Sequence, residues 1–311
     1  MNLSDKKVLV TGASGFVGKN LVDKLDFELL SPTRQECDLT KEDSVAEYFE
    51  KNKPEVVLHI AGRVGGILAN KTYPAEFFYD NAMMSILITH YSYLHGVEKL
   101  VTLAAGCGYP KHLDVPYKED EFWDGFPDEN SYAYSLAKKN LIVQSWAYRD
   151  QYEFDSTVLL PANLYGPHDN FHLENSHVVP ALIRKFIEAR DEGKSEVVVW
   201  GDGSASREFL YVDDTAEAII KMAESCTESG PFNLGTGVET SIKELIETIR
   251  NCVGYEGDIV WDTSKPNGQP RRFYDMTEFK RAVGYVPSTP LSVGIKETVK
   301  WYEENYNVAR R

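Results

Sequence analysis

Residues Lys7 to Asp26 read KVLVTGASGFVGKNLVDKLD, and the order of the parts decides the fold. KVLVT is a short apolar run rich in β-branched residues, the composition of a strand buried on both faces. GASGFVG follows at once, with glycines at 12, 15 and 18. KNLVDKLD then takes up a helical period. Glycines between strand and helix permit a tight turn and let a pyrophosphate approach the backbone at the helix N-terminus. The spacing is G-x-x-G-x-x-G rather than G-x-G-x-x-G, so the reading rests on the strand–turn–helix context.

The alternation continues. Strands are predicted at Glu28–Ser31, Val56–Ala61, Lys99–Ala104, Asp155–Leu160 and Val197–Trp200, and helices at Lys41–Lys51, Glu76–Tyr93 and Tyr134–Tyr152. Phe209–Ser225 and Phe232–Gly235 read as a helix and a strand returning to the first unit. The expected fold is an α/β Rossmann-type doubly wound parallel sheet with a smaller α/β unit. The first unit is expected over 1–165 plus 208–236, and the second, more irregular one over 166–207 plus 237–311. Ligands of such sheets lie at the carboxyl ends of the strands.

Length and composition agree with a soluble globular protein. The chain has 311 residues, 42% hydrophobic and 26% charged, which is ordinary for a globular protein. A net charge of −15 argues against nucleic acid or an acidic membrane as partner. The four cysteines, Cys37, Cys107, Cys226 and Cys252, form no CxxC pair, so neither disulfides nor structural zinc are expected. MNLSDKKVLVTG enters a strand without a leader-like segment, and no apolar run approaches the ~20 residues that span a bilayer. A cytoplasmic location is expected.

The second strand, FELL, runs into SPTRQECDL. No acid at its tip awaits a ribose 2′-hydroxyl, and Arg34 follows, a guanidinium suited to a 2′-phosphate; NADP(H) is therefore favoured over NAD. Asp38 has two readings, a hydrogen bond to the adenine amine or a cap for the helix near Lys41. In NSYAYSLAKKN, Tyr134 and Lys138 are four apart and share a helix face. An ammonium beside a phenol favours the phenolate, which would bring a group of reference pKa about 10 into use near neutrality.

Taken together, TGASGFVG, YSLAK, NLYGP and REFLYVDD resemble the extended short-chain dehydrogenase/reductase superfamily. RVGGILANKTYPAEFFYDN, NLYGPHDNFHLENSHVVPALIRKF, VVVWGDGSASREFLYVDD and DTSKPNGQPRR narrow the resemblance to its GDP-L-fucose synthases, which are GDP-4-keto-6-deoxy-mannose epimerase/reductases. The resemblance implies a GDP-sugar substrate, NADPH as cofactor, no metal, and a homodimer through a four-helix bundle. It places Gly12, Ser14, Gly15, Phe16, Val17, Gly18, Arg34, Asp38, Ala61, Pro161, Asn163 and Leu164 on the cofactor, together with Tyr134 and Lys138. Cys107 and His177 would be the base and acid of epimerisation at C3 and C5, and Tyr134 would protonate O4 on reduction. Val64, Gly65, Asn163, Lys185, Trp200, Arg207 and Arg271 would hold the nucleotide sugar, Trp200 near the guanine. The family has an arginine where this chain has Lys185, which cannot grip a phosphate in bidentate fashion.

One position departs from the family at the chemistry itself. Where LVTLAAGCGYPKH leaves its strand, the family places a serine that hydrogen-bonds the substrate O4; here Ala105 stands, followed by Gly106 and Cys107. The missing donor could be replaced by a water beside Gly106 or by the Gly106 N–H, with Thr102 too far back along the strand. The alternative function is an epimerase or reductase of another nucleotide-linked 4-keto-sugar with weakened reduction.

Overall fold

The computed structural model describes residues 1–173, 176–265 and 267–310. Its strands are β1 (Val8–Thr11), β2 (Leu29–Leu30), β3 (Val56–His59), β4 (Lys99–Leu103), β5 (Ser156–Pro161), β6 (Asn163–Tyr165), β7 (Glu196–Trp200), β8 (Ser206–Arg207), β9 (Phe209–Tyr211), β10 (Phe232–Leu234), β11 (Thr240–Ser241) and β12 (Asp258–Asp262). The first helices are α1 (Phe16–Val22), α2 (Glu42–Asn52), α3 (Ile67–Thr72), α4 (Pro74–Leu94) and α5 (Tyr132–Tyr152). They are followed by α6 (Val178–Asp191), α7 (Val212–Ser225), α8 (Ile242–Val253), α9 (Thr277–Val283) and α10 (Leu291–Glu304).

Six strands form one parallel sheet in the order β10-β5-β4-β3-β1-β2. Alternation along each strand divides its residues between two cores. Leu9, Val57 and Leu100 pack with Val45 and Phe49 of α2 and Leu87 and Ile88 of α4. Val8, Val10, Val56, Leu58 and Val101 pack with Leu21 of α1 and Ala216, Ile219 and Met222 of α7. Covered on both faces, these strands read as continuous apolar runs, which is why the sequence showed them. Chain direction across the sheet reverses between β1 and β3, the switch point where such sheets take ligands.

A separate core unites α6, α8 and α10 with the parallel pair β7–β12 through Ile183, Phe186, Val197, Val199, Leu245, Ile249, Ile295 and Tyr302. The strand expected at Val197–Trp200 exists and belongs to this pair. Its residues alternate strictly, with Val197 and Val199 buried and Glu196, Val198 and Trp200 exposed, the pattern of a strand covered on one face only. Residues Tyr274, Met276 and Phe279 pack in the α1–α7 core.

The long helices α4 and α5 lie against each other. Each buries a broad face, yet Phe78, Tyr79 and Ile86 of α4 and Val143 of α5 remain exposed. No helix among the described residues is long and apolar enough to cross a membrane.

Candidate functional site

The glycine turn is shaped by close approach. Gly12 has φ +76°, and a Cβ there would lie 2.8 Å from the Ala61 backbone at the end of β3. A Cβ at Gly18 would sit 2.0 Å from the Gly12 carbonyl oxygen, so the first turn of α1 closes directly on the loop. The Gly15 N–H donates to Gly12 O at 2.9 Å. Ser14 is exposed and Phe16 and Val17 are half-buried around this concave turn. Such a bare-backbone cradle at a helix N-terminus is what a pyrophosphate needs. The Arg34 side chain is 77% exposed and pairs with Asp38 at 3.8 Å. Asp38 accepts from the Thr40 N–H and hydroxyl at 3.0 and 2.7 Å, which holds its carboxyl below the usual range. It does not cap α2, whose N-cap is Lys41.

The candidate reaction centre lies at the carboxyl end of β4, against the first two turns of α5. Lys138 is buried and donates to Leu103 O at 3.0 Å. Burial depresses its ammonium to about 8, with Cys107 pulling the other way. Tyr134, one turn earlier, meets Phe77 edge-on at 6.2 Å. Burial, and then Cys107, push its phenol up from 10.0. The sequence-based expectation of a lowered phenol therefore fails, because the Lys138 ammonium is directed at Leu103 O and desolvation dominates. Over this pair runs the loop from Ala61 to Gly66. Asn81 fixes it, accepting from Arg63 N at 3.1 Å and donating to Arg63 O at 3.0 Å. Val64, 57% exposed, and Gly65 lie on that loop.

Cys107 sits in a short 3₁₀ turn, Gly106–Gly108. Its thiol is half-buried and raised by burial; Arg272, Ser135 and Lys138 each act against that rise. Ala105 is buried and offers no donor. The Gly108 N–H closes the turn on Ala105 O at 3.0 Å, and the Gly106 N–H has no acceptor among the described residues. Thr102 points into the sheet, toward Thr157 O at 3.5 Å. The space that side chains at 106 and 108 would fill is taken by rings from elsewhere. A Cβ at Gly106 would lie 1.6 Å from the Tyr274 hydroxyl, and one at Gly108 would lie 2.4 Å from Phe122 Cζ.

Cations gather beside the same turn, where Arg272 Nη2 lies 2.9 Å from the position of a Cβ at Gly106. Arg207 donates to the Ser206 and Gln269 carbonyls, and burial together with Arg272 lowers its pKa. Arg272 has no carboxylate partner among the described residues; its Nη2 reaches only the Tyr274 hydroxyl, at 3.4 Å. Two guanidiniums facing each other without an acid are poised for a polyanion. Arg271, the residue singled out from sequence, is exposed and held by Glu239 at 2.6 and 2.7 Å. Lys185 donates to Val198 O, so its ammonium is engaged with β7. Trp200 is 70% exposed at the end of the same strand, with Lys265 5.6 Å above its ring. Asn163 spends its amide on Glu208 O at 3.0 Å, beside Pro161 and Leu164, where it ties β6 to β9.

His177 is the N-cap residue of α6. Its ring is open to solvent, makes no hydrogen bond to a described residue, and is crowded enough by protein that its pKa falls below 6.5. The structure thus brings Cys107, Tyr134 and Lys138 together and leaves His177 on a separate element. Sequence reading missed Arg272, Tyr274 and Ser135. Residues 273 and 275 bridge Tyr117 in extended backbone, so alternate residues share a side. That period of two puts Arg272 and Tyr274 inward, and Arg271 stacks outward on Phe273 at 5.7 Å. Glu208 is a further buried hub, accepting from the Gly237 and Tyr274 N–H groups at 2.6 and 2.9 Å.

Residues 8–235 match the model of the NAD dependent epimerase/dehydratase family. GDP-L-fucose synthase 1 of Arabidopsis thaliana is 41% identical over 98% of this chain and 96% of that protein. GDP-L-fucose synthase of Escherichia coli (strain K12) is 40% identical over 97% of this chain and 98% of that protein. The crystal structure of a GDP-L-fucose synthetase from Naegleria fowleri bound to NADP superposes with a TM-score of 0.92 at 32% identity, covering 99% of this chain and 96% of that one.

Proposed function

This chain belongs to the NAD dependent epimerase/dehydratase family, and on that premise we propose that it converts GDP-4-keto-6-deoxy-D-mannose to GDP-L-fucose with NADPH. The observation that carries this reading is the meeting of Cys107, Tyr134 and Lys138 at the end of β4, in a chain alike over its whole length to enzymes of that name.

The chemistry begins at the ketone. A C4 carbonyl acidifies the hydrogens on C3 and C5. Cys107, as thiolate, takes such a proton; the C–H electron pair moves onto O4 and an enolate forms. His177 returns a proton from the opposite face, inverting the centre. Burial lowers the histidine's pKa, and the negative charge of a bound GDP-sugar would act in the opposite direction, toward its imidazolium. When bound, NADPH supplies the hydride for C4. Tyr134 gives its proton to O4, a transfer suited to a phenol held neutral by burial. Lys138, held by Leu103 O, is placed to bond a ribose hydroxyl.

The turn Gly12–Gly18, with Ser14, Gly15, Phe16 and Val17, would cradle the pyrophosphate. Arg34 would meet the 2′-phosphate, Asp38 would face the adenine, and Ala61, Pro161, Asn163 and Leu164 would line the cleft. Arg207 and Arg272 suit the GDP diphosphate, Arg271 and Lys185 lie at its edge, and Trp200 offers a stacking face for the guanine. Val64 and Gly65 would cover the sugar. Residues 1–165 plus 208–236 would serve the cofactor, and 166–207 plus 237–311 the sugar. The exposed apolar side chains on α4 and α5 support a homodimer through a four-helix bundle, readable by light scattering. We place the enzyme in the cytoplasm.

The test is incubation with GDP-4-keto-6-deoxy-D-mannose and NADPH in deuterated water. Oxidation of NADPH, with deuterium at C3 and C5 of the product, is expected. Absence of both would overturn the substrate assignment.

A further inference from the structure

Cys107 has a partner that the reaction scheme above does not use. Ser135, fully buried in the first turns of α5, places its Oγ 3.1 Å from Cys107 Sγ and 3.0 Å from the carbonyl oxygen of the same residue. The hydroxyl owns one proton and faces two acceptors on Cys107, with the Ser131 hydroxyl more distant at 3.5 Å and able to donate to it. While Cys107 is a neutral thiol, the carbonyl is the better acceptor and the thiol can donate back to Oγ. Once the thiol has released its proton to solvent, the sulfur becomes much the stronger acceptor, and a rotation about the Ser135 Cβ–Oγ bond carries the hydrogen bond to it.

We propose that Ser135 is a positioning residue for Cys107, its hydroxyl clamping the cysteine in the turn and swinging from carbonyl to sulfur when the thiolate forms. The inference rests on the reading of Cys107 as the epimerisation base. The geometry favours it beyond the two distances. Ser135 lies in the N-terminal part of α5, so the sulfur is held beside the end of the helix that favours an anion. The groups that interact electrostatically with the thiol are Arg272 and Tyr274 from the segment after β12, and Tyr134 and Lys138 from α5. Among the described residues none of these four hydrogen-bonds the sulfur, whereas Ser135 does. In the catalytic cycle the clamp works twice: the thiolate takes the substrate proton, S–H forms as C–H breaks, and the Ser135 hydrogen bond returns to the carbonyl.

The test is substrate-free. The rate of alkylation of Cys107 by iodoacetamide is followed from pH 6 to 10 by peptide mass spectrometry in the wild type, Ser135→Ala and Ser135→Gly. Cys252 in the same samples reports any general change. Loss of one charge-assisted hydrogen bond slows Cys107 alkylation near neutrality by about tenfold or more and moves its profile to higher pH, alike in both variants. Cys252 keeps its profile. Superimposable Cys107 profiles in wild type and Ser135→Ala would overturn the proposal, and so would opposite shifts in the two variants, which would mean packing and not the hydroxyl governs the thiol. The base assignment is tested apart, by solvent-deuterium wash-in with Cys107→Ser. Wash-in at the wild-type rate would refute Cys107 as the base and leave the alkylation result standing by itself.

Discussion

Restoring a hydroxyl at the end of β4, by Ala105→Ser, tests whether residue 105 stands beside the reacting oxygen. Ala105 is 8% exposed and has extended backbone, φ −149° and ψ 133°, which serine adopts without strain. The change adds one oxygen to an existing Cβ. A lone donor to a developing oxyanion contributes about 2.7–4 kcal/mol. Here the Gly106 N–H already opens the same turn without an acceptor, so the hydroxyl acts as a second donor. Its gain is then that of one hydrogen bond to a charged group, about 1.5–3 kcal/mol. At about 1.4 kcal/mol per factor of ten, that is roughly 10- to 100-fold. Proton removal and reduction both place charge on O4, so both should accelerate. Single-turnover NADPH oxidation and deuterium wash-in at C3 and C5 measure the two separately. Rates unchanged within about threefold in both assays would refute the placement of residue 105 next to O4, and slower rates would show that the alanine serves packing.

Tyr134→Phe should cut NADPH oxidation by about 100-fold or more and spare wash-in, since only reduction needs the phenol proton; equal loss in both assays would contradict that division. Arg272→Ala should weaken GDP binding by about 10- to 100-fold in calorimetry and Arg271→Ala by only a few-fold, because Glu239 already neutralises Arg271; the reverse order would reassign the diphosphate site. Lys138 has its ammonium depressed from 10.5 to about 8, so the unfolded chain holds more protons between those values and stability rises with pH across them. Lys138→Met should therefore be more stable than the wild type at pH 7 in urea, by a few kcal/mol at most, with the gap closing by pH 10; a constant gap would rule out titration as its source. Gly106→Ala should destabilise by about 1–3 kcal/mol and be partly rescued by Tyr274→Phe, because the clash is with the phenol hydroxyl; additive losses would show the two do not touch.

The main sheet was legible because its strands are buried on both faces, so that β1, β3, β4 and β5 each appear as short runs dominated by apolar residues. β7 was legible as a strand as well, but five residues cannot say which partner they join; the alternation of Glu196, Val198 and Trp200 with two buried valines marks it as covered on one side. Tyr134 and Lys138 were readable from helical spacing, but the direction of the tyrosine's titration was not. It turns on the Leu103 carbonyl that receives the ammonium, a contact across the fold. Cys107 and His177 were found through resemblance, and no spacing marks them. Choosing between Arg271 and Arg272 required knowing which side of an extended segment faces the cleft, and that depends on Tyr117, over 150 positions earlier in the chain.

The turn after β4 carries only Ala105, Gly106 and Gly108 around its cysteine, and Tyr274 and Phe122 fill the volume that side chains at 106 and 108 would need. Any residue larger than glycine at 106 or 108 meets a ring, so neither position can take a side chain unless its aromatic neighbour shrinks first. Position 105 is under no such lock. Among the three, it alone lies a single codon step from a hydroxyl that the surrounding fold is already shaped to accept.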